Sequence, residues 1–173
     1  MHYEKILSTI CFITFLTLYS WGQQSLTEKF NACNLFKGHV TLIGTLDLTP
    51  LIRDAKKSQG TPYCPDEWEQ VRLPVGDTVV QGDPGESNFY TICHTLRQNH
   101  YQKTDYWKAL QVKEHATQGY RSSVVLYVIE EPVTAGLAKV LKNIRFGPGG
   151  AWQLYIPTSE KSKLRKIRTE NLH

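Results

Sequence analysis

A chain of 173 residues is long enough for one domain with its own hydrophobic core, and 40% hydrophobic residues fit a folded protein. The formal net charge of +4 is too mild to predict a nucleic-acid-binding protein. Much of this charge lies near the C-terminus without interleaved aromatic residues, so we expect a solvated end of the chain there and no nucleic-acid partner, at Lys161, Lys163, Arg165, Lys166 and Arg168.

The N-terminus predicts a secretory signal peptide over residues 1–22. Lys5 precedes an apolar run that covers residues 6–19, and Ser20 and Gly22 place small residues where a signal peptidase cleaves. The run is short and is soon followed by polar residues, so we expect no stable membrane span after cleavage; an uncleaved anchor is the alternative. The sequence therefore predicts a secreted or periplasmic protein.

Three cysteines remain after cleavage, Cys33, Cys64 and Cys93. In an oxidising compartment an odd number allows one pair and one free thiol, or no obligatory pair. Cys33 and Cys64 both lie in the less regular N-terminal part, which favours a disulfide between them. Cys93 follows an apolar segment and is predicted to be a buried free thiol. A catalytic thiolate is the alternative, although the adjacent His94 would point to the opposite face of a strand.

Residues 23–70 are predicted to form an N-terminal extension that this disulfide would staple. Within it, β-branched and apolar residues over 39–48 predict a strand, and Gly44 suggests a bulge. A turn or short helix begins at Thr49-Pro50, and residues 65–68 are read as one helical turn. A first short helix is indicated by apolar residues at helical spacing, at Leu26, Phe30 and Leu35.

Residues 71–173 are predicted to form the main domain, a compact α+β domain with a mixed, largely antiparallel sheet. The strongest strand covers 124–129, and because it is apolar on both faces we expect it to be central. One or two short helices are expected within 96–110, and residues 135–141 are read as helical or irregular. Further strands are predicted around Val79 and Val80, and over 89–91, 152–156 and 164–167.

Common cofactor and metal motifs are absent from the sequence. There is no Gly-x-Gly-x-x-Gly after a strand, no phosphate-binding loop and no paired-cysteine zinc motif. His94 and His100 are six positions apart and His115 stands alone, so histidine spacing does not predict a metal site. We therefore expect no bound cofactor and no metal.

The segment 145–157 runs from a glycine turn into a short apolar strand. Gly149 and Gly150 allow unusual backbone angles and let another molecule approach the main chain closely. Gln153 is the one polar residue at the start of the strand. Because neighbouring residues of a strand face opposite sides, we expect Trp152 in the core and Gln153 on the other face. The segment is either plain architecture or the lip of a binding cleft.

The order of several short segments resembles the C-terminal toxin domains of bacterial polymorphic toxins. The last segment is also similar to the Gly-Gly-x-x-Gln-Tyr segment of the tuberculosis necrotizing toxin type of NAD glycohydrolases. The resemblance covers roughly residues 71–172 and implies an ADP-ribosyltransferase-like fold with a cleft for NAD. It is carried by Leu73-Pro74-x-Gly76-Asp77-x-Val79, Gly82-x-Pro84-Gly85-x-Ser87-x-Phe89-Tyr90-Thr91, Leu110-Gln111-Val112-x-x-His115-x-x-x-Gly119-Tyr120-Arg121 and Phe146-Gly147-x-Gly149-Gly150-x-x-Gln153.

One feature departs from the pattern of these NAD glycohydrolases. They carry an arginine shortly after the first strand, where it contacts the dinucleotide. The matching segment here, residues 79–83, has no arginine. Either NAD is not bound or the task passes to another arginine, Arg121 or Arg97.

The resemblance implies cleavage of the nicotinamide–ribose bond of NAD(P) as substrate, by a glycohydrolase or an ADP-ribosyltransferase. Such a site must hold the diphosphate and stabilise positive charge on the ribose. Arg121 would grip two phosphate oxygens, Gln153 would hold a ribose hydroxyl or orient water, and His115 would transfer protons. The catalytic candidates are therefore Gln153, Arg121 and His115, and the substrate-binding candidates are Tyr90, Thr91, Tyr120, Gly149 and Gly150.

Plainer interpretations of these residues lead to two other functions. Arg121 and His115 could be surface residues, Tyr90 and Tyr120 core or rim aromatics, and Gln153 structural. A secreted ribonuclease would use His115, Arg121 and the basic C-terminal end. A non-enzymatic secreted binding or immunity-type protein would keep the fold without the chemistry. A cognate immunity or target protein is the expected macromolecular partner.

Overall fold

The computed structural model describes residues 24–45, 49–60 and 67–173. The predicted signal peptide lies outside these ranges. None of the helices in them is long and apolar enough to cross a lipid bilayer. The described helices are α1 (Leu26–Ala32), α2 (Pro50–Gln59), α3 (Cys93–Gln98) and α4 (Lys103–Ala109), with a 3-10 helix at Thr158–Lys163. The strands are β1 (Thr41–Thr45), β2 (Trp68–Leu73), β3 (Thr78–Gly82), β4 (Phe89–Ile92), β5 (Ser123–Ile129), β6 (Val133–Lys139), β7 (Trp152–Tyr155) and β8 (Leu164–Asn171).

The eight described strands form one sheet in the order β1-β2-β6-β7-β4-β3-β5-β8. Every neighbouring pair in that order is antiparallel. This confirms the predicted α+β class with a largely antiparallel sheet. Strand β5, which we expected to be central, is paired on both sides by β3 and β8, but it lies next to the edge strand β8 and not in the middle of the sheet. Two-sided pairing suits a strand whose residues are apolar on both faces.

Several local predictions are confirmed because short-range chemistry specifies them. The Ser25 hydroxyl accepts the Glu28 amide at 3.1 Å and the Glu28 carboxylate accepts the Ser25 amide at 3.0 Å, a capping box that begins α1. Thr49 caps α2, which has Pro50 in its first turn. The register of β1 against β2 shifts between Leu42 and Gly44, where the bulge was expected. The region 96–110 holds parts of two short helices.

Strand β6 corrects the prediction that residues 135–141 are helical or irregular. This strand lies between β2 and β7, and Leu137 pairs with Leu154. Its small residues carry little intrinsic strand preference, so the pairing comes from its two neighbours. Gly136 fits because the ring of Trp68 occupies the space of a side chain, with Cε3 2.9 Å from where a Cβ would stand.

Trp68 corrects a second prediction, the helical turn over 65–68. It is the first residue of β2 and pairs with Ala138. Its side chain is buried with Ile52 of α2 and Tyr155 of β7. The residues before position 67 in that segment lie outside the described ranges. A tryptophan that covers a helix and two strands is held in the sheet by this burial, whatever its local preference.

Helix α1 is tied to the sheet by one carboxylate. Glu69 of β2 accepts the backbone amides of Leu26 and Thr27, both at 2.8 Å, and the Thr27 hydroxyl at 2.6 Å. These are amides of the first helical turn, which have no partner within the helix. On the same helix Phe30 packs edge-on against Trp152, with ring centroids 5.1 Å apart. Helix α1 therefore shares a core with the strand that follows the glycine turn.

The two faces of the sheet carry different layers. Trp152 and Leu154 of β7 lie in a cluster with Phe30 of α1, on one face. Tyr155, on the alternate face of β7, packs with Ile52 of α2. A third cluster joins Val80 of β3 to α3 and α4. Helices α2 and α4 thus pack on the face opposite α1, and a gap separates them.

The cysteines differ in exposure. Cys33 is a free, exposed thiol, so the predicted Cys33–Cys64 disulfide is not formed in this structure, and Cys64 lies outside the described residues. Cys93 begins α3 as a partly buried free thiol packed beside the cluster of Val80. Burial raises the pKa of the Cys93 thiol, which disfavours a reactive thiolate.

Candidate functional site

An open cleft of about 940 Å³ lies on the sheet face between α2 and α4. Its volume falls in the range of sites for small molecules and cofactors. Strands β3, β4 and β7 contribute to its lining, and the end of α2 lines one side. The other side is formed by α4 and by the segment 111–122, which we name the cleft loop. The lining from the sheet and α4 includes Val80, Gly82, Thr91, Gln153, Tyr106 and Trp107.

Most of the predicted site residues meet in this cleft. They come from β4, β7 and the cleft loop, which are far apart in the sequence. Two predicted residues, Gly149 and Gly150, are not part of the lining. Those that line the cleft are Gln153, Arg121, His115, Tyr90, Thr91 and Tyr120.

Gln153 brings an unused acceptor to the cleft. It pairs with Ala138 in the sheet, and its Oε1 is buried with no hydrogen-bond partner in the described part of the chain. Trp152 beside it is only 6% exposed and packs on the other face, as the alternation predicted. Buried polar atoms are normally paired, so an unpaired one at a cleft indicates a place for a ligand group.

Arg121 reaches over β3 from the end of the cleft loop. Its Nη1 lies 2.9 Å from the position that a Cβ would occupy on Gly82. The Trp107 indole donates to the backbone carbonyl of Arg121 at 2.8 Å and fixes that part of the loop. The Arg121 side chain is exposed, and no carboxylate within the described ranges forms an ion pair with it. The guanidinium is therefore available to an anionic ligand.

His115 lies at an exposed turn of the cleft loop. Its backbone exchanges two hydrogen bonds with Gly119, at 3.2 and 3.0 Å. Its Nδ1 accepts the backbone amides of Thr117 at 3.4 Å and Gln118 at 3.3 Å. With Nδ1 an acceptor, the neutral ring carries its proton on Nε2. His115 therefore offers a donor from Nε2.

The side chains of Tyr90 and Thr91 are both buried and make contacts within the protein. The Tyr90 ring packs edge-on against Tyr127 with centroids 6.0 Å apart, on the face of β4 opposite Thr91. Burial raises the pKa of its phenol well above the usual range. The Thr91 hydroxyl donates to the Trp152 carbonyl at 2.6 Å and lies 2.8 Å from the Thr95 hydroxyl. Thr91 thus holds β7 in place next to Gln153.

Tyr120 lies in the cleft loop beside Arg121. It is partly buried and packs against the cluster that contains Trp107 and Leu110. Of the predicted substrate-binding aromatics, it is the one whose position fits a wall of the cleft. Tyr90 fits a role in the core.

The glycine turn places Gly149 and Gly150 outside the lining of the cleft. Gly149 has a φ of 67°, and a Cβ there would stand 2.5 Å from the Leu141 carbonyl oxygen. The Gly150 amide donates to the Val140 carbonyl at 2.8 Å. The turn folds back on its own chain at the end of β6. The glycines do allow another main chain to come close, as expected, but that main chain is the protein's own, at Val140 and Leu141.

Gln111 is a cleft residue that belongs to one of the motifs carrying the resemblance but was not among the predicted site residues. It follows α4, lines the cleft and is only 7% exposed. Its φ is 54°, and its Nε2 is buried with no hydrogen-bond partner in the segments described. A left-handed glutamine leaves no local sequence signal, because its conformation is set by how the helix ends.

Comparison with known proteins identifies relatives of this chain. The family model described as the Rhs1 C-terminal toxin domain matches residues 49–158. The solved structure "Rhs1-CT in complex with cognate immunity protein RhsI1" is similar, with a TM-score of 0.64 and 28% identity, over 73% of this chain and 98% of that chain. A second structure, "Structure of Tse6 in complex with Tsi6", matches with a TM-score of 0.43 and 17% identity over 69% of this chain and 98% of that chain. No curated protein matches the sequence.

Proposed function

Because the chain belongs to the Rhs1 C-terminal toxin domain family, we propose that it is a toxin enzyme that cleaves the nicotinamide–ribose bond of NAD(P). One observation carries the proposal. The Arg121 guanidinium lies over Gly82, within the segment 79–83 that lacks the arginine of similar NAD glycohydrolases. An arginine from a distant loop thus lies beside the segment that lacks one, which supports the proposal that Arg121 replaces it. An ADP-ribosyltransferase-like arrangement of the cleft and export by the predicted signal peptide are parts of the same proposal.

Arg121 binds the diphosphate in this proposal. A guanidinium offers a planar fork of donors that matches two phosphate oxygens, and it stays charged at any physiological pH. The side chain has no ion-pair partner among the described carboxylates, so no internal salt bridge has to break on binding. The indole of Trp107 holds the Arg121 backbone at 2.8 Å and reduces the ordering that binding requires.

Gln153 acts at the reacting ribose. Its unpartnered Oε1 would accept a ribose hydroxyl or orient the attacking water. The terminal torsion of glutamine is broad, so a small rotation presents the amide to a ligand. Nicotinamide leaves as a neutral ring while positive charge develops on the ribose. Oriented dipoles such as this amide stabilise that charge more effectively in a partly enclosed cleft than in water.

His115 contributes a donor at the mouth of the cleft. Because Nδ1 accepts two backbone amides, Nε2 carries the proton of the neutral ring. A donor there suits a phosphate or ribose oxygen of the substrate. To act as a general base through Nδ1, the ring would first have to give up its hydrogen bonds to the amides of Thr117 and Gln118. His115 is therefore a weaker candidate for activating water.

The basic C-terminal end gives little support to the ribonuclease alternative. Arg165 forms an ion pair with Glu130, and Arg168 forms one with Glu170 at 2.8 Å. None of the cations between Lys161 and Arg168 lines the cleft. A ribonuclease would need a positive path to the cleft for the phosphate backbone. Besides Arg121, the lining of the cleft holds Lys113, and Lys161 lies at its edge, where Nζ donates to the carbonyl of Ser87.

An immunity protein is the macromolecular partner that we propose. The similar Rhs1 structure is a complex with its cognate immunity protein. A toxin that destroys a common dinucleotide would harm the cell that makes it. A specific inhibitor is therefore expected for this chain, and it would either cover the cleft or hold the cleft loop.

The proposal is tested by incubating the purified protein with NAD and NADP and following nicotinamide release. Arg121→Ala should raise KM about tenfold or more, since a charge-assisted hydrogen bond contributes about 1.5–3 kcal/mol. Gln153→Ala should mainly lower kcat. Arg165→Ala is the matched control, because this exposed arginine lies on β8 away from the cleft.

Three results separate the alternatives. If the wild-type protein releases no nicotinamide at micromolar concentration, the NAD proposal fails. RNA cleavage that is lost in His115→Ala would establish the ribonuclease instead. Tight binding of a partner protein with neither activity would establish the non-enzymatic alternative.

A further inference from the structure

Helix α4 ends in a motif that usually requires glycine. The amide of Val112 donates to the Trp107 carbonyl at 2.9 Å, and the amide of Gln111 donates to the Lys108 carbonyl at 3.1 Å. Together these bonds form a Schellman motif, in which the residue after the helix cap is left-handed. Gln111 occupies that position with a φ of 54°. Glycine would adopt this conformation without the steric cost that a Cβ brings.

The side chain of Gln111 bears a second cost. The residue is 7% exposed and lines the cleft. Its Nε2 is buried, and no acceptor in the described ranges bonds to it. Removing an amide donor from water without a partner is unfavourable. A residue that is disfavoured both by its backbone and by its side chain indicates that the amide serves something other than the fold.

Other left-handed residues of the chain provide a contrast. Asn34 and His100 each have a φ of 50°, and neither lines the cleft. His100 follows α3 and donates its amide to the Arg97 carbonyl at 3.0 Å, so it too ends a helix. Left-handed helix ends are therefore not reserved for the cleft. What distinguishes Gln111 is the buried donor without a partner at a ligand-sized space.

We infer that Gln111 is a substrate-contacting residue that donates from its carboxamide to an uncharged acceptor on a flat ring of the dinucleotide. The inference rests on the proposed NAD(P) cleavage. The amide lies on the wall of the cleft to which Tyr106, Leu110 and Val140 also contribute. A neutral donor among apolar side chains suits an uncharged acceptor atom better than the anionic diphosphate, which Arg121 serves. The nicotinamide carboxamide oxygen and the ring nitrogens of adenine both have this chemistry.

Two substitutions remove the donor in opposite structural ways. Gln111→Gly removes the amide and also relieves the left-handed backbone, so the melting temperature should be unchanged or higher. Gln111→Met keeps the length of the side chain and the backbone cost, but it has no amide. His100→Gly is the matched control, since it makes the same backbone change at a helix end outside the cleft.

The measurements are KM and kcat for NAD, with the inhibition constants of nicotinamide and of adenosine monophosphate, neither of which is hydrolysed at this bond. Loss of one neutral hydrogen bond should raise KM about three- to tenfold in both Gln111 variants. The value of kcat should stay within about twofold of wild type. His100→Gly should match wild type. If the Gln111 variants raise the inhibition constant of nicotinamide alone, the contact is at the nicotinamide ring. If they raise that of adenosine monophosphate alone, the contact is at adenine.

Three results overturn the inference, and they can be told apart. Wild-type KM in both Gln111 variants, with an active wild-type enzyme, would remove Gln111 from the site and leave NAD cleavage intact. A raised KM with both inhibition constants unchanged would exclude a contact to either ring. A wild-type protein that neither binds nor cleaves NAD would overturn the proposed function and this inference together.

Discussion

The guanidinium of Arg121 lies against the backbone of Gly82, and only the absence of a side chain at Gly82 allows this contact. A Cβ at that position would stand 2.9 Å from Nη1 of Arg121 and 2.8 Å from Cη2 of Trp107. Trp107 is 4% exposed and cannot move away freely. A glycine of β3 therefore determines where the arginine of the cleft loop can rest.

Gly82→Ala should displace Arg121 and strain the packing of Trp107. We expect a loss of about 1–3 kcal/mol in the free energy of unfolding, as is usual when a methyl group is forced into a packed site. If the protein cleaves NAD as proposed, the KM for NAD should rise as well, because the guanidinium is displaced from its position over Gly82. Urea unfolding and initial rates measure the two effects. Gly44→Ala is the control, since its Cβ would meet nothing closer than 3.5 Å, and equal results for both variants would contradict the steric argument.

Thr91→Val should weaken the link between β4 and β7. It removes the hydroxyl that donates to the Trp152 carbonyl at 2.6 Å and also meets the Thr95 hydroxyl at 2.8 Å. A buried carbonyl that loses a donor costs about 1–3 kcal/mol, which urea unfolding measures. Thr95→Val leaves the bond to Trp152 intact and should cost about 1 kcal/mol. The test is which variant loses more free energy of unfolding. A larger loss for Thr95→Val than for Thr91→Val would contradict the prediction.

Glu69→Gln should release the first turn of α1. One carboxylate accepts the amides of Leu26 and Thr27 and the Thr27 hydroxyl, and an amide in its place has only one acceptor oxygen. We expect faster hydrogen exchange at these two amides and a loss of about 1.5–3 kcal/mol, the range for hydrogen bonds to a charged group. Glu130→Gln, in an exposed ion pair with Arg165, should cost less than about 1 kcal/mol. Unchanged exchange in Glu69→Gln would show that the helix does not depend on this carboxylate.

Cys33 should react with iodoacetamide before Cys93. Cys33 is exposed, whereas burial raises the pKa of the Cys93 thiol and so lowers the fraction of reactive thiolate at any pH below that pKa. Alkylation of Cys93 should therefore accelerate only as the pH is raised towards its elevated pKa. Peptide mass mapping across pH 7 to 10 gives both rates. Preferential labelling of Cys93 at neutral pH would mean that its thiolate is stabilised instead.

The confirmed predictions depend on residues that act over a few positions. The helical spacing of Leu26 and Phe30 indicates α1, and Thr49 with Pro50 specifies the start of α2. Alternation in β7 places Trp152 in the core and Gln153 towards the cleft. These features follow from hydrogen bonds and side-chain directions that the neighbouring residues alone determine.

Two predictions failed where distant residues decide the outcome. Strand β6 has small residues with weak strand preference, and it exists because β2 and β7 pair with it on both sides. Trp68 belongs to a strand because Ile52 and Tyr155 bury its ring. In both cases tertiary burial outweighs a local preference worth a fraction of a kcal/mol.

Short-range patterns in the sequence are enough to predict the α+β class, the start of α2 and the residue types that could serve a cleft. Which of the candidates lie together depends on the tertiary structure. It brings Arg121 over Gly82 and Gln153 to the same cleft, and it turns Gly149 and Gly150 against the chain itself. It also adds Gln111, whose left-handed conformation is set by the end of α4. Proximity between residues far apart in the chain comes from strand order and packing, which no short segment encodes.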